Sequence, residues 1–275
     1  MKKIFTLLLA LVTMALNVHA TVTVCGVEPD ENGHFSTSFI KSGSITWDSD
    51  SQTLTLDNAV IEYSSDNNYD DIYPININED ATIVIHGDCK LTTTGIVALA
   101  LVGYEKSVTI QGDGSLYLSS TWIALRLRAT KLTIKDITLN TTKAIADNNY
   151  GTLIGLTLDN VNAEIQQGGI ERIGEGITLK NCSITYPEDA YIEYSDYGYF
   201  IANGSGNLAS HVIISRSGGS KPGDLNGDGD VTIADAVAVL NAMAGETVSG
   251  NPDVNGDNDV TIADFVAILN LMAEQ

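Results

Sequence analysis

Thr109-Ile-Gln-Gly112, Thr133-Ile-Lys-Asp136 and Thr157-Leu-Asp-Asn160 repeat one phrase: Thr, an aliphatic residue, any residue, then Asn, Asp or Gly. Working outward, Thr55-Leu-Asp-Asn58 and Val84-Ile-His-Gly87 precede these copies, and Thr178-Leu-Lys-Asn181 follows them. The aliphatic anchors Leu56, Ile85, Ile110, Ile134, Leu158 and Leu179 are spaced by 29, 25, 24, 24 and 21 residues. A second apolar alternation follows each turn, as in Leu116-Tyr-Leu118, Ile137-Thr-Leu139 and Val161-Asn-Ala-Glu-Ile165. An internal period of this length decides the architecture before local propensity does.

Each unit holds two or three short strands rich in Thr, Ile, Leu and Val, separated by turn residues, with no helical period. Strands this short cannot bury a face alone, so neighbouring units must stack. The spacing predicts a mainly β fold, a parallel β-helix over 45–216 with one coil per repeat. Its crossovers are expected to be right-handed, as parallel crossovers generally are. The Asn/Asp/Gly position falls at one corner of every coil, where Asn and Asp tolerate unusual dihedrals. An antiparallel sandwich would leave the 24-residue echo without a cause. The body resembles pectate-lyase-like β-helix modules, including non-catalytic carbohydrate-binding ones, and that resemblance is architectural.

Residues 21–44 lack the phrase and are read as a cap on the first coil, whose edge would otherwise be unpaired. Tyr186, Tyr191, Tyr194, Tyr197, Tyr199 and Phe200 crowd the other end. They read as a C-terminal cap or as a sugar-stacking platform, with Tyr191, Tyr194, Tyr197 and Tyr199 as the candidates. Tyr69, Tyr73 and Tyr104 fall in turns of earlier repeats and could extend such a platform. Ser217-Gly-Gly-Ser-Lys-Pro-Gly223 reads as a short flexible joint, spanning roughly 15 Å by random-coil scaling.

Beyond the joint lies a duplication. Residues 224–244 and 253–273 agree at 16 of 21 positions. Each copy places oxygen side chains at loop positions 1, 3, 5, 9 and 12: Asp224, Asn226, Asp228, Thr232 and Asp235, then Asp253, Asn255, Asp257, Thr261 and Asp264. Asp230 and Asp259 occupy position 7 and would offer backbone carbonyls. A hard cation such as Ca²⁺ takes about 6–8 oxygens, and this spacing supplies them from one tight loop, so two Ca²⁺ ions are expected. Gly229 and Asn258 suit the left-handed backbone needed at position 6. An apolar helical run exits each loop, Ala236–Leu240 and Phe265–Leu269, and no helical pattern enters either loop. Each unit is half an EF-hand, with Asp where that pattern has Glu at position 12.

This tail, about 221–275, resembles a type I dockerin. The resemblance implies a small all-α, EF-hand-like domain over 224–275 that binds two Ca²⁺ and plugs into a cohesin module on a scaffold protein. It also implies partner choice through positions 10 and 11. Those positions, often Ser-Thr in dockerins, are Ile233-Ala234 and Ile262-Ala263 here. An apolar pair repeated in both copies suits an interface with two equivalent docking orientations.

At the start, Lys2-Lys3, the apolar run 4–16 and the small residues ending at Ala20 read as a secretory signal over 1–20. The expected mature chain is exported and is not inserted in a membrane. The net charge of −21 is shared by body and tail, since 221–275 hold ten acids against Lys221 alone. With no basic stripe, nucleic acid is not an expected partner. Cys25, Cys89 and Cys182 are too few for a disulfide scaffold. In a regular stack Cys89 and Cys182 sit four strand spacings apart, roughly 19 Å, beyond bonding reach.

Candidates for catalysis in the body are Asp70-Asp71 with Asp66, the Glu171/Glu175 pair flanking Gly174, Arg126 and Arg128 on one strand facing solvent, and the isolated His34, His86 and His211. Glycoside hydrolysis needs two carboxylates flanking the bond, about 5–9.5 Å apart, and the candidates for that pair are thin. Two readings follow: a non-catalytic glycan-binding or adhesive body docked through its tail, or a docked polysaccharide-degrading enzyme of pectate-lyase or glycoside-hydrolase type.

Overall fold

The computed structural model describes residues 22–64, 72–146, 154–216, 223–226, 230–246, 248, 251–257 and 259–273. The expected signal at 1–20, the joint except Gly223, Tyr69, the Asp66, Asp70 and Asp71 loop, and Asp228, Gly229 and Asn258 lie outside the described residues.

The body is a parallel β-helix with three strand faces. On the first face, 53–57, Ala81–His86, 106–112, 130–135, Gly155–Asp159 and Gly176–Lys180 pair in parallel, each with the next. The inward positions stack as a column, Leu54, Ile83, Ile110, Ile134, Leu158 and Leu179. All but Leu179 are buried, and Leu179 is partly buried against the same core. Each such side chain contributes about 1.5–3 kcal/mol of hydrophobic stabilisation. The third face stacks Ile75, Leu99, Leu125, Ile145 and Ile170 in the same way. The turn residues Asn58, Asp136, Asn160 and Asn181 take φ between 46° and 61°, the left-handed corner that the phrase predicts.

One register differs from the sequence phrase. Ile85 pairs with Gly112 and not with Ile110, whose partner is Ile83. The second coil is therefore offset by two residues from the phrase, 27 residues from Ile83 to Ile110. Gly112 is required there: φ is 149°, and a Cβ would lie 2.0 Å from the Ile85 carbonyl oxygen.

Both ends of the stack turn antiparallel. Val22–Val24 runs against Ile75–Ile77, and Ile40–Asp48 runs against Thr53–Tyr63. At the far end, Val212–Arg216 lies antiparallel to Asn162–Ile165 on one edge and to Cys182–Tyr186 on the other. The second face thus stacks Cys89, Leu116, Leu139, Ala163, Ile214 and Ile184. The regular order expected from the repeat is broken by this inserted strand, which puts five spacings, roughly 24 Å, between the strands of Cys89 and Cys182. All three cysteines are free and buried. Cys89 and Cys182 occupy equivalent places, each donating its S–H to the carbonyl of an earlier coil's anchor, Leu56 at 3.6 Å and Leu158 at 3.4 Å.

In the tail, α1 (Ile233–Met243) and α2 (Ile262–Ala273) follow the two loops. Leu225, Val231, Ala236, Val239 and Ile268 form a small core of their own. No helix among the described residues is long and apolar enough to cross a membrane.

Candidate metal and docking sites

In the second loop, short polar side chains curl the backbone by accepting its N–H groups. Asp253 Oδ1 accepts from Gly256 at 2.8 Å and Asp257 at 3.0 Å. Asn255 Oδ1 accepts from Asp257 at 2.8 Å, and Asp257 Oδ1 from Asp259 at 2.9 Å. These are the local side-chain to backbone bonds that Asn and Asp make in turns. Asp264, fully buried at the start of α2, ties the loop shut. Its Oδ1 accepts from Val254 at 2.9 Å and Asn255 at 3.1 Å, and its Oδ2 from Thr261 at 2.8 Å. Burial raises the Asp264 carboxyl, but the backbone donors at Thr261, Asn255 and Val254 outweigh it and hold the group below the usual Asp value.

The first loop repeats the clasp. Asp235 Oδ1 accepts from Leu225 at 2.8 Å and Asn226 at 3.1 Å; Oδ2 accepts from the Thr232 backbone at 2.8 Å. Thr232 caps α1, and Asp235 returns the bond to its backbone, a capping box. Position 12 therefore does something that the ligand spacing alone did not reveal. A carboxylate in the first helical turn must reach back to positions 2, 3 and 9, and the short Asp does so.

The donor set fits a hard cation. Asp253, Asn255, Asp257, Asp264 and the Asp259 carbonyl are all oxygen donors, as are Asp224, Asn226, Asp235 and the Asp230 carbonyl in the first loop. Among the described residues no three acidic, His or Cys side chains converge as a ligand shell. The described side chains are held as hydrogen-bonded loops.

The two helices present matching apolar faces. Ile233, Val237 and Leu240 are 59%, 47% and 40% exposed; Ile262, Val266 and Leu269 are 58%, 48% and 38% exposed. These residues recur at i, i+4 and i+7, one stripe on each helix. Ala234 and Ala263 are exposed beside them.

The tyrosines do not form one platform. Tyr191–Ser195 and Gly198–Ala202 make a two-stranded antiparallel hairpin with Tyr191 opposite Ala202 and Tyr194 opposite Tyr199. Tyr191 and Tyr194, three apart on one strand, fall on opposite faces. Tyr199 is half-buried against the core, and Tyr197 is exposed at the turn. Tyr73 is buried and Tyr104 exposed.

The catalytic candidates are dispersed. Glu171 contacts Arg172 at 3.6 Å, while Glu175 contacts Lys131 at 3.1 Å. Arg128 is exposed, but Arg126 does not face solvent as its strand position suggests: it is buried and donates to the Tyr73 hydroxyl at 2.8 Å. Its neighbours in register, Ala100 and Ala146, are small and buried. Two of the histidines are less isolated than they look in sequence. His86 Nδ1 lies 2.9 Å from Asp113, and His211 Nε2 lies 3.0 Å from Glu164. The first pair spans the 27-residue register offset, which is why the phrase did not reveal it.

The architecture is that of a β-solenoid carrying a duplicated loop-helix tail. Residues 222–273 match the family model of the dockerin type I domain. No curated protein and no solved structure matches the chain.

Proposed function

We propose that this is an exported protein whose tail docks on a cohesin-type scaffold in a Ca²⁺-dependent manner and displays the β-helix as a glycan-binding body. The equivalence of the two exposed helix stripes carries the docking reading, together with the dockerin match. Ile233-Ala234 and Ile262-Ala263 head these stripes and are the proposed partner contacts. Asp224, Asn226, Asp228, Asp235 and the Asp230 carbonyl would hold one Ca²⁺, and Asp253, Asn255, Asp257, Asp264 and the Asp259 carbonyl the other, with Thr232 and Thr261 serving at position 9. The bound ion would neutralise the clustered carboxylates that otherwise repel within each loop.

The test is capture of the full chain by a panel of immobilised cohesins with Ca²⁺ and with chelator. Ile233→Asp or Ile262→Asp alone should leave capture intact, because the second stripe serves; the double variant should abolish it. Capture that survives chelator, or that resists the double variant, would overturn this reading. For the body, exposed tyrosines on the C-terminal hairpin support glycan binding. Release of new reducing ends or unsaturated products from pectin or xylan by the purified chain would instead make the body an enzyme.

A further inference from the structure

We infer that a notch between the C-terminal hairpin and the last strand of the third face is the glycan subsite, and that it takes a neutral pyranose; this rests on the glycan-binding reading of the body. The notch, about 280 Å³, is lined by Glu171, Arg172, Ser195, Tyr197, Phe200 and Asn207 among others. That volume sits at the lower edge of ordinary ligand pockets, suited to a sugar unit and not to an extended chain.

Three features give it the chemistry of a sugar site. Tyr197 and Phe200 supply an aromatic wall for the apolar C–H face of a pyranose ring. Glu171 and Arg172 supply acceptor and donor side by side, with Arg172 Nε 3.6 Å from Glu171 Oε2. In such a pair the carboxylate can accept from one ring hydroxyl while the guanidinium donates to its vicinal neighbour. Asn207 adds an amide with both functions.

Arg172 has φ of 60°, a backbone state uncommon for a residue other than Gly, Asn or Asp. In a strand, consecutive side chains point to opposite faces. The left-handed turn at Arg172 breaks that alternation, so that Glu171 and Arg172 both line the notch while Ile173 returns to the core. Strained backbone of this kind persists where the surroundings over-determine it, and it clusters at binding sites. The walls are also preset. Ser195 Oγ donates to the Gly198 carbonyl at 3.1 Å and accepts from the Tyr197 N–H at 3.2 Å, fixing the turn that carries Tyr197. Asn203 Oδ1 accepts from Ser205 at 3.0 Å and Asn207 at 3.1 Å, fixing the opposite rim.

Charge selects the sugar class. The Glu171–Arg172 pair is neutral in sum, and the chain that carries it is strongly acidic overall, with a net charge of −21. A uronic acid would meet the Glu171 carboxylate and that field; a neutral hexose or pentose would not.

The experiment is affinity electrophoresis of the full chain, in Ca²⁺, through gels carrying xyloglucan, galactomannan, arabinoxylan or polygalacturonate. Arg172→Gly removes the side chain while accepting the left-handed backbone, Tyr197→Ala removes an exposed ring, and Trp122→Ala, which removes an exposed ring that does not line the notch, serves as the control. The expected result is retardation by at least one neutral polysaccharide, weakened at least about tenfold by Arg172→Gly and by Tyr197→Ala and unchanged by Trp122→Ala. Retardation by a neutral polysaccharide that both variants retain would overturn this site and leave the glycan-binding body standing. Retardation by polygalacturonate alone would overturn the neutral specificity. No retardation in any gel would sink the glycan-binding reading, and the notch with it.

Discussion

At the scale of single residues, two sets of side chains make opposite use of burial. The thiols of Cys25, Cys89 and Cys182 are all pushed up, chiefly by burial, and Cys25 reaches about 12 despite the lowering influence of Lys41. A raised folded pKa means stability that is fully present below the unfolded thiol value, about 8.5–9, and is lost as pH rises toward the folded value. The expected outcome is a chain that resists iodoacetamide when native, labels at all three positions in denaturant, and loses stability between about pH 9 and 12. Cys25→Ala should flatten that alkaline decline in urea melts followed by circular dichroism. Asp235 is the contrary case, a buried carboxylate surrounded by donors. Truncating it strands buried N–H groups at roughly 1–3 kcal/mol. Asp235→Ala should therefore lower the tail's helical signal with and without Ca²⁺, whereas Asp257→Ala, whose loop bonds are exposed and replaceable by water, should alter chiefly the Ca²⁺ response. Equal behaviour of the two variants in chelator would rule out the metal-independent clasp.

At the scale of elements, the two-residue offset at Ile85 is both a prediction and a lesson. Gly112→Ala would place a methyl against the Ile85 carbonyl in a backbone state that Ala avoids, so it should cost more than about 2 kcal/mol in thermal unfolding. Ile134→Ala, in the middle of the stacked column, should cost about 2–5 kcal/mol. The columns through Ile110, Ile134 and Leu158 were legible because their 24-residue echo is also their physical register. The offset was not, because a slip of two residues keeps every side chain on its own face; only a slip of one would expose the core. Ile83 and Ile85 are equally apolar, and the choice between them lies with Gly112, whose missing side chain has no periodicity to detect. Val212-Ile-Ile-Ser-Arg216 likewise reads as one more short strand, with nothing local to announce that it runs backwards. In the tail, ligand spacing located both loops, but position 12's backbone bonds depend on the fold of the loop and so were invisible. The tyrosines were visible as a cluster; their division between two faces and a turn follows from hairpin pairing alone.

At the scale of the whole molecule, body and tail are stabilised by different means. The body has a continuous apolar core of stacked coils, while the tail has, among its described residues, five buried apolar side chains, and two acidic loops. Chelator should therefore lower the helical signal of the tail to what the two clasps hold and leave the sheet signal intact, and Ca²⁺ should restore it. Residues 21–216 alone should unfold in one cooperative transition; loss of sheet in that fragment would show that the tail contributes to the body's fold. The strand Val212–Arg216 adds a consequence for a tethered protein. A docked tail transmits any pull to Arg216, the end of a strand that is hydrogen-bonded along both edges. Arg216 is itself anchored, its N–H to Asn162 at 3.0 Å and its Nε to the Asn160 carbonyl at 2.8 Å. Tension along that strand would load two ladders together, in shear, and not peel a free edge one bond at a time. The reversed strand is then a mechanical anchor, joining the tether to the wall of the solenoid at a place built to bear force.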